Sequence, residues 1–425
     1  MATKKTNKTE VLKQVQDANG TAQAVSRGTQ YERYLDASLG LRNYWYPALF
    51  SKELQEGETR GELLLGERVF FKRIGGQVYA MEDRCAHRGV PFSARPECYT
   101  ANTVTCWLHG FTYDVRDGKL VQILTDPDSG LIGKVALKTY PVQELHGVVF
   151  TFVGDMDPPP PLADDLQPRI HSKGLAFHPI ARHKIRSNWR LAAENGYDSA
   201  HLYGHRNTYI VTEVGVPIPF NHMSKNAEVE VFEDGGAVGV GDRRVVPIWS
   251  AEVEGVRVSA SNIDPDNPPQ PINAWVGLFM PGGLEVDYFP APGMIHFEWY
   301  VPMDEDHHMY IVLQGKYVKD EEEERQFHEA MEEGEGRLTW NRPGEEPAGF
   351  VNFDQFVREN MNHAYASEDW WNRETLFKPD TILVRWRTLV SKHARGIQTR
   401  GDWAATNGWS PTGDGYQPAR SPGHW

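Results

Sequence analysis

The stretch "RCAHRGVPFS", residues 84–93, contains Cys85 and His87 one residue apart, and the stretch "CWLHG" further along adds Cys106 and His109. Together they offer two thiolates and two imidazoles on two loops. This donor set is typical either of one tetrahedral zinc ion or of a Rieske [2Fe–2S] cluster. In a Rieske cluster the cysteines hold one iron and the histidines hold the other.

Three features of the sequence favour the iron–sulfur cluster over zinc. The single residue between Cys85 and His87 directs them more readily to two atoms of a binuclear centre than to one metal ion. Small or rigid residues after the two pairs would let backbone N–H groups approach the sulfides: Gly89, Pro91 and Gly110. The surrounding sequence has the pattern of strands, whereas many zinc fingers take their histidines from a helix. We therefore predict a Rieske cluster.

The composition of the 425-residue chain, with 40% apolar residues, is typical of a globular protein of two or three domains. Its net charge of -14 argues against a nucleic-acid partner, which requires a basic face. The chain has no apolar run long enough to span a membrane, and its N-terminus lacks the apolar segment of a secretory signal. We therefore expect a cytoplasmic protein without a disulfide framework, in which Cys98 is a free thiol.

Two kinds of sequence pattern divide the chain. Short apolar and β-branched segments such as "ERVFFKRIGGQVYAM" predict a small β-sandwich or barrel, and the proline run "DMDPPPPLADD" then acts as a linker. Beyond it, the strand patterns "INAWVGLFM" and "MIHFEWYVPM", with helical stretches at 319–333 and 350–375, predict an antiparallel sheet with helices on one face. The predicted class is α+β, with these boundaries: disordered tails at 1–30 and 401–425, an all-β domain at 51–165 and a second domain at 166–400.

A second group of metal-ligand residues occurs in "NGYDSAHLYGH", where His201 and His205 are four residues apart. On a helix both rings would project from the same face, one turn apart, which suits a shared metal. A surface or packed histidine pair is the ordinary interpretation of this spacing alone. Two features favour a metal site: the predicted cluster earlier in the chain, which can store an electron, and Asp198, one turn before His201. Two histidines and one carboxylate leave three positions open on iron(II), as oxygen activation requires.

The four cluster residues, followed by Asn195, Asp198, His201 and His205 in the arrangement NxxDxxHxxxH, resemble the catalytic subunit of the Rieske non-heme iron oxygenases. The resemblance covers about 360 residues, from "LGLRNYWYPALFSKEL" to "GIQTR". Within the family the chain is most similar to the group that contains carbazole 1,9a-dioxygenase and 2-oxo-1,2-dihydroquinoline 8-monooxygenase. The stretches "SNWRLAAENGYDSAHLYGH", "FEWYVPMDE" and "PVQELHGVVF" carry that similarity.

The resemblance implies a helix-grip, START-like catalytic domain. Residues 31–50 would form a helix that packs with this domain, so that the all-β Rieske domain is an insertion. The resemblance also implies one [2Fe–2S] cluster and one mononuclear Fe(II) per chain, O2 as co-substrate, and a homotrimer in which the subunits sit head to tail.

The third iron ligand implied by the family is a carboxylate far downstream. The stretch "GFVNFDQFVRENM" supplies Asp354 at the matching place, in a segment with helical spacing. Glu359 is the nearest alternative, and Glu345 and Glu346 in a Pro/Gly-rich loop are less favoured.

The resemblance also gives a role to Asp198, which is then not expected to bind iron. In the family this position hydrogen-bonds an iron-ligating histidine and, across a subunit boundary, a Rieske histidine. These would be His201 and His109 here, and such an aspartate fixes both tautomers and links the two metal sites. Asn195, in the same motif, is included among the predicted site residues.

The implied reaction inserts oxygen from O2 into a small aromatic substrate, which we expect to be an N-heteroaromatic, by dioxygenation or monohydroxylation. Leu202, Phe350 and Val351, next to the iron ligands in sequence, should line the pocket, and their apolar character suits a flat ring. Oxidative N- or O-dealkylation remains an alternative, because the pose of the substrate decides which atom is oxidised.

Electrons must come from elsewhere, because no GxGxxG follows a strand and the chain cannot take a hydride from a nicotinamide. We expect a ferredoxin and an NAD(P)H-dependent ferredoxin reductase as partners. Arg84, Arg88 and Arg95 near the cluster could dock an acidic ferredoxin, or be ordinary solvated arginines. An electron-transfer Rieske protein and a zinc-stabilised interaction protein stay open, but both leave "NGYDSAHLYGH" and Asp354 without a role.

Overall fold

The first unit of the fold is built from short antiparallel strands between residues 44 and 153. The structure is a computed structural model, and it describes residues 31–198, 200–208, 228–232, 238–246, 250–253, 256–259, 272–287, 289, 293–333, 350–368 and 370–398. The strands of this unit are β1 Tyr44–Phe50, β2 Thr59–Leu64, β3 Glu67–Ile74, β4 Gln77–Glu82, β5 Thr103–Thr105, β6 Phe111–Asp114, β7 Leu120–Ile123, β8 Thr139–Tyr140, β9 Val142–Leu145 and β10 Val148–Val153.

These strands form three sheets, with the orders β1-β10-β9, β2-β3-β4-β8 and β5-β6-β7. Cys85 and His87 lie in the loop between β4 and β5, and Cys106 and His109 lie in the loop between β5 and β6. Both cysteines pack into a small apolar cluster with Tyr113 and its neighbours. The register of the β5-β6 pair therefore brings the two predicted ligand loops to one end of the sheet.

The second unit is a mixed layer of sheet and helices. Its described strands are β11 Leu175–Ile185, β12 Glu228–Phe232, β13 Gly239–Val246, β14 Ser250–Val253, β15 Val256–Ser259, β16 Ile272–Phe279, β17 Gly283–Asp287, β18 Met294–Pro302 and β19 His308–Tyr317. Except for the β14-β15 hairpin, they form one antiparallel sheet with the order β11-β19-β18-β17-β16-β13-β12.

The described α-helices are α1 Glu32–Asp36, α2 Trp189–Tyr197, α3 Glu321–Glu333, α4 Phe350–Glu368 and α5 Thr381–His393. Helix α2 packs against α4 and against β16, β17 and β18, while α5 packs against β13 and α1. None of the helices in the described part of the chain is long and apolar enough to cross a membrane.

Helix α2 is fixed firmly because it is buried almost all round. The side chain of Asn188 caps its N-terminus by accepting the backbone N–H of Arg190 at 3.1 Å. The indole N–H of Trp189 donates to the carbonyl of Ala37 at 2.7 Å. The helix ends at Tyr197, and the chain continues into a 3-10 helix, Ala200–Asn207, which carries both predicted iron-ligating histidines.

The two described ends of the chain lie side by side. The N–H of Gln398 donates to the carbonyl of Gly40, and the N–H of Arg42 donates to the carbonyl of Gly396, both at 3.0 Å. Arg33 on α1 donates to the carbonyl of Ser391 on α5 at 2.9 Å. The segments before and after the first unit therefore belong to the same second unit. The first strand of the first unit, β1, pairs with its last strand, β10, so that the chain enters and leaves this unit at neighbouring places.

A buried carboxylate joins the two units at this place. Glu67, on β3, is 1% exposed and accepts hydrogen bonds from Arg42 at 2.7 Å, Lys138 at 2.7 Å and Tyr140 at 2.6 Å. Arg42 also contacts Gln398 at 2.9 Å. Burial alone would raise the pKa of Glu67, but the cations of Lys138 and Arg42 and the Tyr140 hydroxyl hold it below the ordinary value.

The predicted class, an all-β domain before an antiparallel sheet with helices, is confirmed. The predicted helix at 31–50 is wrong over most of its length. Only Glu32–Asp36 is α-helical, and residues 44–50 form β1 in the Rieske unit. The stretch "YWYPALF" favours a strand because it is rich in aromatic residues, and its proline would interrupt a helix. The predicted helix at 350–375 ends at Glu368, and α5 was not predicted. The predicted tails, 1–30 and 401–425, lie outside the described residues.

Candidate metal centres

The four predicted cluster ligands separate into two pairs. The Nδ1 atoms of His87 and His109 lie 3.2 Å apart, and the ring of His87 stacks on Phe111. Cys85 and Cys106 are each 2% exposed, whereas His87 is exposed and His109 is half-buried. Two thiols on the inner side and two imidazoles on the outer side fit a binuclear cluster with one iron for each pair.

The two thiols share a hydrogen bond that favours a thiolate at Cys106, whereas donation of that hydrogen bond and burial raise the pKa of Cys85. A hydrogen bond from Cys85 outweighs the effect of burial and, with the backbone N–H groups of Leu108 and His109, lowers the pKa of Cys106 to about 6. The hydroxyl of Tyr113 lies 3.6 Å from the sulfur of Cys85 and accepts the N–H of Ala86 at 3.3 Å. Because the thiolate is the form that binds metal, these contacts prepare Cys106 for cluster binding.

Two glycines allow the ligand loops to turn. Gly89 has a φ of 69° and Gly110 a φ of 70°, a left-handed conformation that side chains rarely adopt. The N–H of Gly89 donates to the carbonyl of Cys85 at 2.8 Å, and that of Gly110 donates to the carbonyl of Cys106 at 2.9 Å. A Cβ at Gly110 would also lie 2.7 Å from the Cβ of Leu124. The glycines thus close each loop around its ligand pair.

The predicted iron ligands come together from two elements. The Nε2 atoms of His201 and His205, on the 3-10 helix, lie 3.4 Å and 3.1 Å from Oδ1 of Asp354 on α4. Their ligand atoms all lie within 4.8 Å of one another. Two atoms bound at right angles to one metal at about 2.1 Å are about 3 Å apart, so the three side chains fit one metal ion.

The two histidines converge in a way that differs from the sequence-based expectation. They do not lie on one α-helical face, because α2 ends at Tyr197 and the ligands follow on the 3-10 helix. Their ring centroids are nevertheless 5.1 Å apart. The Nδ1–H of His201 donates to the backbone carbonyl of Asp198, which leaves the lone pair of Nε2 directed towards Asp354.

The carboxylate in this group is ionised although it is buried. Asp354 is 3% exposed, and burial alone would raise its pKa. The imidazoles of His205 and His201 and the guanidinium of Arg358 outweigh burial and hold the pKa well below the ordinary range. The ionised carboxylate and the two imidazole nitrogens beside it form a donor set that suits a divalent metal ion.

Asp198 contacts His201 through its main chain rather than its side chain. Its carboxylate Oδ1 instead accepts the N–H of Ala200 at 2.8 Å and closes the turn between the two helices. A contact with His109 of another subunit lies beyond a single chain, so the bridging role stays a prediction.

Asn195 accepts the Nε–H of Arg358 at 2.7 Å. Sequence reasoning missed Arg358, although its spacing of four residues from Asp354 on a helix places both on one face.

The alternative carboxylates and the pocket residues fall in different places. Glu359 is exposed on α4, and its Oε1 accepts the N–H of Arg186 at 3.4 Å, away from the histidines. Glu345, Glu346 and the side chain of Phe350 lie outside the described residues.

Of the other predicted pocket residues, Val351 is 1% exposed and Leu202 is partly buried. Phe353, which was not predicted, places its ring 5.1 Å from that of His205.

The arginines near the cluster are mostly engaged with neighbouring acids. Arg84 pairs with Glu82 at 2.7 Å, and Arg95 lies 3.4 Å from Glu97. Arg88 is exposed. Large apolar side chains, Trp107 and Leu108, are also exposed beside His109. The surface around the imidazoles therefore combines the exposed cation of Arg88 with apolar area, which is typical of a protein-binding surface.

Residues 44–141 match the family profile described as Rieske [2Fe-2S] domain, and residues 152–398 match the one described as homotrimeric ring hydroxylase. The chain belongs to this family of Rieske ring-hydroxylating oxygenases. It is an oxidoreductase that incorporates oxygen from O2, and its cofactors are one [2Fe–2S] cluster and one mononuclear iron.

The sequence is 39% identical over 392 residues to the terminal oxygenase component of carbazole 1,9a-dioxygenase from Sphingomonas sp, covering 90% of this chain and 99% of that protein. It is also 39% identical to the corresponding component from Metapseudomonas resinovorans, covering 90% and 98%. The solved terminal oxygenase of carbazole 1,9a-dioxygenase from Nocardioides aromaticivorans IC177 superposes with a TM-score of 0.79 at 38% identity, covering 88% and 100%. The predicted family, fold class and oxygenase activity are confirmed.

Proposed function

We propose that this chain is the terminal oxygenase component of a multicomponent system that oxidises a flat N-heteroaromatic substrate of the carbazole type. The observation that carries the proposal is the convergence of His201, His205 and Asp354 behind a Rieske domain. Identity of 39% over nearly the whole length of carbazole 1,9a-dioxygenase oxygenases supports the substrate class. Dioxygenation or a single hydroxylation can follow from such a site.

Each ligand residue has a defined part in this proposal. The cluster is held by two pairs of ligands, the inner cysteines Cys85 and Cys106 and the outer histidines His87 and His109. The iron is held by His201, His205 and Asp354. When bound, the cluster supplies single electrons and the iron supplies the site at which O2 reacts with the substrate. The carbonyl of Asp198 keeps the proton of His201 on Nδ1 and so fixes its ligating tautomer.

Apolar residues lie next to the iron ligands in sequence. Val351 and Phe353 precede Asp354 on α4, and Leu202 follows His201. These side chains would exclude water and contact the faces of an aromatic ring. The ring of Phe353 already lies against His205 and against Gly204, where a Cβ would come within 2.6 Å of it. A flat ring can therefore lie next to the metal with little polar contact from these residues.

Electrons would come from a ferredoxin that an NAD(P)H-dependent reductase reduces. Solved complexes of carbazole 1,9a-dioxygenase contain its oxygenase together with a ferredoxin. In this chain the exposed His87 with Arg88 offers a place for an acidic ferredoxin to approach the cluster. We also propose that the chain forms a homotrimer and is located in the cytoplasm, which contains the NAD(P)H that such a reductase oxidises.

The function is tested by a product screen of the reconstituted system. Purified oxygenase, ferredoxin and reductase are incubated with carbazole, other N-heteroaromatics, and N- or O-alkyl aromatics under isotopically labelled O2. Label in ring hydroxyl groups of the N-heteroaromatics is the expected result, and Asp354→Ala should abolish it. Label only in the aldehyde released by dealkylation would assign the chain to the alternative reaction, and absence of labelled product from every substrate would overturn the proposal.

A further inference from the structure

The helix that carries Asp354 is held against the sheet by a buried cation. Arg358, one turn after Asp354 on α4, is fully buried, and its guanidinium lies over the rings of Tyr300 and Tyr310 at 5.1 Å and 5.0 Å. Its Nη2 lies 3.9 Å from Oε2 of Glu298 on β18. This arrangement connects α4 to two central strands of the catalytic sheet.

The same guanidinium connects α4 to the element that leads to the two histidines. Its Nε–H donates to the side-chain carbonyl of Asn195 at 2.7 Å, and Asn195 is on α2, six residues before His201. Among the described residues, the two Nη groups of Arg358 have no hydrogen-bond acceptor. Asn195 is therefore the residue that fixes the orientation of the guanidinium within the described structure.

Glu298 is itself held in place from two sides. Its Oε1 accepts the Nε2–H of His296 at 2.7 Å, and its Oε2 accepts the hydroxyl of Tyr300. The carboxylate is 5% exposed, and a rigid buried anion of this kind can balance a buried guanidinium. A buried ion pair rarely adds stability over apolar residues of the same volume, so its presence beside the metal ligands suggests a role in the site.

We propose that Arg358 is a positioning residue of the iron site, which sets the place of Asp354 relative to His201 and His205 by clamping α4 to Asn195 on α2. The three ligands come from two elements, and a metal ion tolerates little error in their separation. Removal of an outer partner of a metal ligand typically weakens metal binding by about 10- to 100-fold. The inference rests on the proposed iron site.

The chain offers a matched control on the same pair of helices. Asn362, one turn beyond Arg358 on α4, accepts the N–H of Asn188 at the start of α2 at 2.9 Å. This second α2–α4 hydrogen bond lies at the end of α2 that is remote from the ligands. Asn362→Leu should loosen the same helix pair without releasing the carboxylate ligand.

The experiment measures the affinity of the Rieske-loaded protein for Fe(II) against a competing chelator. Arg358→Lys keeps the positive charge near Glu298 but cannot supply the Nε–H to Asn195, and Asn195→Leu removes the acceptor at similar volume. Each variant should bind Fe(II) about 10- to 100-fold more weakly. The double variant should bind no more weakly than the poorer single variant, because both act through one contact. Cluster absorbance and melting temperature are measured for each variant to verify the fold.

A second readout separates positioning from general loosening. The absorption spectrum of Co(II) in the iron site reports ligand geometry, and it should change in Arg358→Lys and Asn195→Leu but not in Asn362→Leu. Wild-type Fe(II) affinity in Arg358→Lys or in Asn195→Leu would overturn the inference, as would an equal loss in Asn362→Leu. If the wild type itself held no Fe(II), or kept it after Asp354→Ala, the proposed iron site would fail instead.

Discussion

The Nδ1 atoms of His87 and His109 lie 3.2 Å apart, although the two residues belong to different loops separated by strand β5. Both rings direct their Nδ1 atom towards the space between the two loops, and Cys85 and Cys106 lie on the buried side of the site. A single loop could not place two thiols on the buried side of the site and two imidazoles on its outer side. The cluster site thus depends on the register of the small β5-β6-β7 sheet.

His87→Cys should lower the reduction potential of the cluster. A thiolate adds negative charge where a neutral imidazole binds, and this favours the oxidised cluster. A redox titration followed by absorption or electron paramagnetic resonance gives the potential, with Cys98→Ala as a control for thiol chemistry. An unchanged or higher potential in a variant that keeps its cluster would remove His87 from the ligand set.

Tyr113→Phe should lower the potential by a smaller amount. The hydroxyl near the sulfur of Cys85 stabilises the more negative, reduced cluster by hydrogen bonding, and the variant loses that contact. If the contact differs by about 1 kcal/mol between the two redox states, the fall is on the order of 50 mV. The same titration measures it, and a potential equal to that of the wild type would show that the hydroxyl does not act on the cluster.

Asp354→Ala should lose the mononuclear iron and all product formation while the Rieske spectrum stays intact. Removing a ligand from a three-residue site leaves two imidazoles, which hold iron(II) poorly. Glu359→Ala, on the exposed side of the same helix, is the control and should retain both. Iron analysis and turnover assays on the two variants decide the ligand, because the reverse pattern would make Glu359 the ligand.

Asp198→Asn should slow electron delivery while preserving the fold, the trimer and both metals. The asparagine oxygen can still accept the N–H of Ala200, so the turn before His201 should survive. The amide lacks the charge that would hold imidazole N–H groups across a subunit boundary. The variant's cluster is reduced chemically, and its reoxidation by O2 is followed with substrate bound. Wild-type rates at full iron occupancy would exclude the bridging role, and a monomeric mass by light scattering would exclude the route between subunits.

Glu67→Gln should destabilise the junction between the two units by about 3 kcal/mol, because it leaves a buried guanidinium and an ammonium without their carboxylate. The pKa of Glu67 is lowered in the fold, so its contribution is present above the ordinary glutamate value of 4.5 and is lost as the pH falls through the folded-state pKa. The melting temperature of the wild type should therefore fall more steeply below pH 4.5 than that of the variant. Glu321→Gln, exposed on α3, is the control and should behave as the wild type.

The parts of the site that short-range spacing determines could be predicted from the sequence. Cys85 and His87, or His201 and His205, are close in the chain and need only one turn or loop to meet. Asp354 required knowledge of a family, because 149 residues separate it from His205. Arg358 and Tyr113 were missed because their contacts arise only when distant elements pack together.

The same reasoning explains the errors in the fold. The sequence of α5, "TILVRWRTLVSKH", is rich in β-branched residues that favour strands, and its helical form depends on packing against β13 and α1. The stretch that forms β1 lacks the alternation of a half-exposed strand because every one of its residues is buried.

The pairing of Gly40 with Gln398 has a consequence for synthesis of the chain. On the ribosome, the strands of the first unit have all been made once residue 153 has emerged, although β1 and β10 share their core with the catalytic sheet. The segment before them must wait for its partner, which is made about 250 residues later. At about 5–20 residues per second, this delay is roughly 12 to 50 s. During that interval the nascent chain carries apolar faces of β1 and β10 that the finished protein buries against the catalytic sheet, as in the contact of Phe150 with Trp299.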